Sequence, residues 1–169
     1  MTFESGIFYL LGAVAIASSL LMVTRRNPVM SAIFLILNFF CLAGLYLTLQ
    51  AQFIAVVQII VYAGAIMVLF LFVIMLLNLG NEEQLREKIG WKKIVAFGLS
   101  AALALEVLYI VGYQVQVPVM KSPNAVELGT VESIGRVLFS EFLFPFEVTS
   151  LLLVAAIVGA IVLAKKKFD

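Results

Sequence analysis

The chain has 169 residues, of which 64% are hydrophobic and only 12% charged, with a net charge of +1. A soluble domain carries about 25% charged residues, and no soluble fold of this size hides so much apolar surface, so the composition marks an integral membrane protein. The near-neutral balance implies no nucleic acid and no acidic substrate. With no histidine and one cysteine, Cys41, His-dependent metal sites, cysteine-held clusters, CxxC chemistry, the usual haem ligand and a Ser-His-Asp triad are excluded. No cofactor of the chain's own is expected.

Five apolar stretches reach spanning length. The first runs from about Phe3 to Val23. It does not read as a signal peptide, because Glu4 stands where a basic region belongs and Arg25 and Arg26 follow the apolar run; a retained helix is expected. Arg25-Arg26-Asn27-Pro28 makes a tight break, with Pro28 suited to a helix start. The second span covers about Val29 to Leu49. Gln50-Ala51-Gln52 is so short that the second and third spans must be antiparallel neighbours.

The third span, Phe53 to Leu79, has no charge and no proline. As a helix it reaches roughly 40 Å, against a hydrocarbon core of about 30 Å. Length is left for tilt or irregular winding. Asn78 to Lys93 is a polar loop. The fourth span covers about Ile94 to Gln114. Val115 to Pro145 is the longest non-spanning segment, with Pro118, Pro123 and Gly129 marking coil. Within it, Val131, Ile134, Leu138 and Phe142 share one face of a short amphipathic helix from Thr130 to Phe142, with Glu132, Ser133, Arg136 and Ser140 on the other. The fifth span covers about Phe146 to Ala164.

Placing the N-terminus outside puts Arg25, Arg26, Arg86, Lys88, Lys92, Lys93 and Lys165 to Lys167 inside, leaving only Lys121 and Arg136 outside. The expected fold is therefore an all-α membrane protein with a single integral domain over residues 1–169. It has five transmembrane helices and a short amphipathic helix on the outer side between the fourth and fifth. The N-terminus is outside and the C-terminus inside.

Several residues exceed what a simple anchor needs. With α winding, Gln58, Tyr62, Ala65 and Leu69 share a face of the third helix. Spacing alone leaves two readings open. One is interhelical bonding by Gln58 and Tyr62, with Gly64 allowing close packing. The other is a helix that changes its winding: excess length, a mid-span glycine and polar side chains suit a π-bulge. Glu106 lies mid-span in the fourth helix, three and seven residues before Tyr109 and Tyr113. A carboxyl at bilayer depth is a functional hypothesis by default, with a hydrogen bond to an adjacent helix as the structural reading. Asn38 is expected to bond another helix. Glu147 opens the fifth helix, where it favours the positive end of the helix dipole, and is also a candidate interhelical contact. Ala156, Ala160 and Ala164, with Ala155 and Gly159, form small-residue faces that imply neighbouring subunits. Cys41 reads as an inert core residue.

The run Val61 to Val73 (VYAGAIMVLFLFV) resembles the signature third helix of subunit J of NADH-quinone oxidoreductase, the respiratory complex I family that includes mitochondrial NADH dehydrogenase subunit 6. Arg26-Asn27-Pro28-Val29 and Gly135 to Glu147 (GRVLFSEFLFPFE) are similar to that family too. The resemblance implies a membrane-arm subunit without a redox centre. Quinone, FMN and iron–sulfur clusters would belong to other subunits. The expected partners are the lipid bilayer and the A, H, K and N types of subunit. The expected location is a bacterial plasma membrane, ranked ahead of the mitochondrial inner membrane.

The resemblance also implies a π-bulge around Tyr62, Ala63, Gly64, Ala65, Ile66 and Met67 that gates a water path between quinone reduction and proton pumping. Gln58, Glu106 and Tyr109 are the candidates for the proton path from the residues themselves. Two alternatives stand beside this reading. One is a passive scaffold subunit of complex I or a related hydrogenase-like complex. The other is a stand-alone transporter, against which no inverted repeat is visible and only one acid lies at depth.

Overall fold

The computed structural model describes residues 3–77, 91–112 and 129–165, apart from the side chains of residues 92–94 and 111. The polar loop from Asn78, the coil at Pro118 and Pro123, Tyr113, and Lys166 and Lys167 lie outside the described residues. The described chain is all-helical: α1 (Phe3–Thr24), α2 (Pro28–Thr48), α3 (Gln52–Leu77), α4 (Trp91–Gly112), α5 (Val131–Leu138) and α6 (Leu143–Ala164).

α1, α2, α3 and α6 are each long and apolar enough to cross a membrane. Within α4 the apolar part among the described residues is the shorter Val95–Ile110, about 24 Å of helix against a core of about 30 Å. Length and composition of the described residues therefore give four candidate spans where the sequence pattern leads one to expect five.

α1 and α2 form a tight antiparallel hairpin. Asn27 caps α2: its side-chain oxygen accepts from the Val29 and Met30 backbone N–H groups at 2.9 and 3.2 Å, and Pro28 takes the first helical position. Arg25 folds over the Phe34 ring, 5.7 Å from its centroid, which keeps the cation at the end of the hairpin. Further along, the Leu11 side chain packs over Gly44: a Cβ there would lie 2.7 Å from Leu11 Cδ1, which would have to shift.

Polar groups tie the pair together at mid-span. The Asn38 amide donates toward the Ala15 carbonyl at 2.8 Å, Ser19 Oγ at 2.7 Å and Ser18 Oγ at 3.3 Å. Ser18, 2% exposed, also donates to Ala15 O at 2.9 Å. Ser31 Oγ adds a bond to the Met22 carbonyl at 2.6 Å.

α2 ends in a Schellman motif. The Ala51 N–H reaches Tyr46 O at 2.9 Å, the Gln50 N–H reaches Leu47 O at 3.0 Å, and Gln50 is left-handed with φ 62°. The turn sends α3 back along α2, where Ala32, Met67 and Ile74 form a buried cluster with Val29, Leu35, Ile36, Phe39 and Leu71 packed against it.

α5 sits at the same end as this turn. Gly129, just before α5, lies against the Gln50 carbonyl and Ala51, leaving no room for a Cβ, and α5 touches the start of α3. Thr130 caps α5 by accepting from the Ser133 N–H at 3.3 Å. The amphipathic helix closes at Leu138, earlier than Phe142, because the N–H groups of Ser140, Glu141 and Phe142 all turn back to Val137 O. α6 begins at Leu143, not Phe146. Pro145 then falls in its first turn, where a missing N–H costs nothing. α4 and α6 run along no other described helix, and none of their described residues is buried. A helix apolar on all sides is suited to lipid or to other membrane helices.

Asn38→Leu should weaken the α1–α2 pairing by about 1 kcal/mol, seen as faster amide exchange over Ala15 to Ser19 with α6 unaffected. Gln50→Gly should relieve the left-handed backbone and raise the thermal midpoint of the detergent-solubilised chain by roughly 2–4 °C, and Gln50→Val should lower it.

Candidate functional site

α3 is wound in three parts. Gln52–Val57 is α-helical, Gln58–Ile66 is π-helical, and Met67–Leu77 is α-helical again. The Gln58 N–H still reaches three and four residues back, to Ala55 O and Ile54 O. At the other end, the Met67 N–H reaches five residues back to Tyr62 O, and also Gly64 O. The wide winding thus starts four residues earlier than the Tyr62-to-Met67 run expected from the sequence, and Met67 belongs to the following α-helix.

The buried positions of α3 explain what the wide turn accommodates. They are Ala55, Gln58, Ala63, Met67 and Ile74. The steps from Ala55 to Gln58, from Ala63 to Met67 and from Met67 to Ile74 suit an α-helix, which advances 100° per residue. The step from Gln58 to Ala63 does not: five α-helical residues overshoot one turn by about 140°. π winding, with its i→i+5 hydrogen bonds, brings the fifth residue back to the same face. Small Ala55 and Ala63 are buried, while their bulkier neighbours Ile54, Val56 and Tyr62 are exposed.

This register changes the face expected from α winding. Gln58 is buried at 7% exposure, but Tyr62 is 45% exposed, and Ala65 and Leu69 are exposed. Tyr62 instead meets α2 by its ring edge: its centroid lies 5.7 Å from that of Phe39, with the planes at 68°. Ala63 (5%) and Met67 (3%) are buried, Gly64 is half-buried and Ile66 is exposed. A Cβ on Gly64 would stand 3.2 Å from the Ile59 carbonyl oxygen, five residues back. That is tight enough that the carbonyl has to give way.

The remaining candidates lie apart. Asn38 joins α2 to α1, as described, and is next in sequence to Phe39. Glu106 and Tyr109 are exposed on α4, which does not run along α3, so the described helices do not bring them to Gln58. Glu147 is exposed in the first turns of α6, where its backbone oxygen accepts from Ser150 Oγ at 2.7 Å. Cys41 is a buried free cysteine on α2. Among the described residues, no three His, Cys, Asp or Glu side chains gather where they would hold a metal. Sequence reasoning named Ala63 within the bulge but missed Phe39 and Ala55, which no sequence signal sets apart from the other apolar positions.

The π-wound stretch is thus part of an uncharged, irregularly wound helix packed on a polar-stapled hairpin. Comparison with known proteins agrees on what kind of chain carries it. Residues 18–163 match the family model described as NADH-ubiquinone/plastoquinone oxidoreductase chain 6. The chain is 37% identical over 157 residues to NADH-quinone oxidoreductase subunit J of Escherichia coli K12, covering 90% of this chain and 82% of that one. It is 33% identical over 168 residues to the Rickettsia prowazekii subunit J, covering 96% and 80%. It is 39% identical over 166 residues to NAD(P)H-quinone oxidoreductase chain 6 of Leptolyngbya boryana, covering 95% and 79%. With its apolar helices and its wide-turned α3, the chain belongs to the NADH-ubiquinone/plastoquinone oxidoreductase chain 6 family, which includes subunit J of NADH-quinone oxidoreductase.

Proposed function

We propose that this chain is a membrane-arm subunit of a proton-translocating NADH:quinone oxidoreductase, and that α3 acts in it as a gate. The π winding over Gln58–Ile66 in a member of this family supports the reading. The chain contributes no catalytic group. Quinone, FMN and iron–sulfur clusters are held by other subunits, and the A, H, K and N types are its neighbours. α4 completes a fifth span, the N-terminus faces outward, and the basic residues lie on the inner side of a bacterial plasma membrane or a mitochondrial inner membrane. The exposed apolar surfaces of α4 and α6 fit neighbours of this kind.

The mechanism follows from winding. Removing one residue from the wide turn rotates one side of α3 against the other by about 100°. Bulky side chains such as Met67, Leu69 and Phe70 then exchange places around the helix. A hydrophobic side chain moved into a narrow polar path breaks its water chain by dewetting. Gln58, buried at the start of the wide turn, and Glu106 and Tyr109 on α4 are the groups through which such a path runs. The gate needs no charge of its own, since rotation alone decides whether water connects.

Gly64→Val crowds the Ile59 carbonyl with a β-branched side chain. Overpacking of this kind costs about 1–3 kcal/mol, which moves a two-state equilibrium roughly five- to 150-fold. The expected result is a complex that assembles with its full set of subunits but pumps several-fold fewer protons per quinone reduced. Proton uptake would be followed in inverted membrane vesicles beside NADH oxidation. Unchanged pumping in the fully assembled Gly64→Val complex would overturn the gate and favour the scaffold reading, under which this variant affects assembly alone.

A further inference from the structure

We infer that Phe39 on α2 is the positioning residue that holds α3 in its π-wound register, acting as a stop against Tyr62. This rests on the gating reading and names the side chain that sets the gate's resting state.

The geometry gives the stop three supports. Phe39 meets Tyr62 edge-to-face at 5.7 Å, and Tyr62 lies at the centre of the π-wound stretch. Phe39 is itself fixed: its neighbour Asn38 is tied to Ala15, Ser18 and Ser19 of α1, so α2 resists turning about its axis. The end of α3 before the wide turn is fixed too, by the Schellman turn at Gln50 and by Gly129 and α5 seated against it.

With that end held, α winding slides every later position by one residue. Tyr62 would have to enter the place of Ala63, Ile66 the place of Met67, and Val73 the place of Ile74. Ala63 is buried, 5% exposed, so a far larger side chain brought to its place needs the packing around it to move. A tyrosine ring fits there only if the Phe39 ring leaves. While Phe39 stays, Tyr62 is kept outside and the extra residue remains in the turn. When Phe39 yields, the helix can close to α.

Cross-linking in the assembled complex reads the register directly. In a Cys41→Ala background, Ala32→Cys is paired either with Met67→Cys, which shares its buried cluster in the π register, or with Ile66→Cys, which replaces it in the α register. Disulfide yields are compared in native membranes. Phe39→Leu should lower the ratio of the Met67→Cys yield to the Ile66→Cys yield by about three- to tenfold, the shift an aromatic pair of ordinary strength supports. Phe39→Met, which replaces the rigid ring by a flexible chain that can move aside, should act the same way if Phe39→Leu does not assemble. Phe39→Trp should restore the ratio, which a merely structural role does not require. An unchanged ratio in the assembled Phe39→Leu or Phe39→Met complex overturns the role of Phe39, whatever Gly64→Val does to pumping. A shifted ratio with unchanged pumping supports Phe39 as the stop while removing the gate itself.

Discussion

The third helix is shaped by one constraint: small side chains must face the α1–α2 hairpin at both ends of a stretch whose spacing does not fit an α-helix. Ala55 and Gln58 belong to one register, and Ala63, Met67 and Ile74 to the next. Interiors are packed too densely to absorb a wrong-sized side chain, so the backbone takes up the difference as a wide turn. The hairpin can impose this because it is stiff. Asn38 and two serines give it a polar staple where the alternative is an unsatisfied amide in hydrocarbon. Gly44 leaves room for the Leu11 side chain against α2.

The two ends of α3 are held by different forces. Near Gln50 the grip is backbone hydrogen bonding and close main-chain contact, in which a carbonyl, a left-handed residue and a glycine interlock. Near Met67 and Ile74 it is apolar side-chain packing against Ala32 and its neighbours. Apolar contacts are non-directional and many side chains can substitute for one another in them. Hydrogen-bonded turns are not so permissive. A change of winding is therefore absorbed at the packed end, where one aliphatic side chain can replace another.

Four of the five expected spans were legible in the sequence because length and apolarity alone decide them, and the α1–α2 break because Pro28 suits a helix start. The amphipathic helix was legible from Val131, Ile134 and Leu138, although its end at Leu138 depends on a turn that converges on one carbonyl. The wide turn was legible as one of two readings from Gly64 and the excess length, but its start at Gln58 was not. A helix apolar on every side has no polar stripe against which its buried face can be read. The face drawn through Tyr62 and Leu69 thus assumed a winding that the packing overrides. The left-handed turn was hidden for a similar reason, since Gln50 carries none of the preference that a glycine there would announce. Glu106 stands out in sequence because it is charged, yet among the described residues no helix runs along α4.

That asymmetry bears on how a gate of this kind is driven. An equilibrium between windings moves only if something binds one winding better than the other. Among the described residues α3 carries no charge, and its buried face is occupied by the hairpin, so no charged group of α3 itself can change to bias it. The bias has to reach the helix through its other face, where Ile60, Leu69, Phe72 and half of Tyr62 are open in this chain. A neighbour packed on that face meets a different set of side chains in each winding, because rotation by one residue replaces them all. A small displacement of the neighbour is then sufficient to favour one register. The fixed hairpin on the opposite face turns that preference into rotation and not translation.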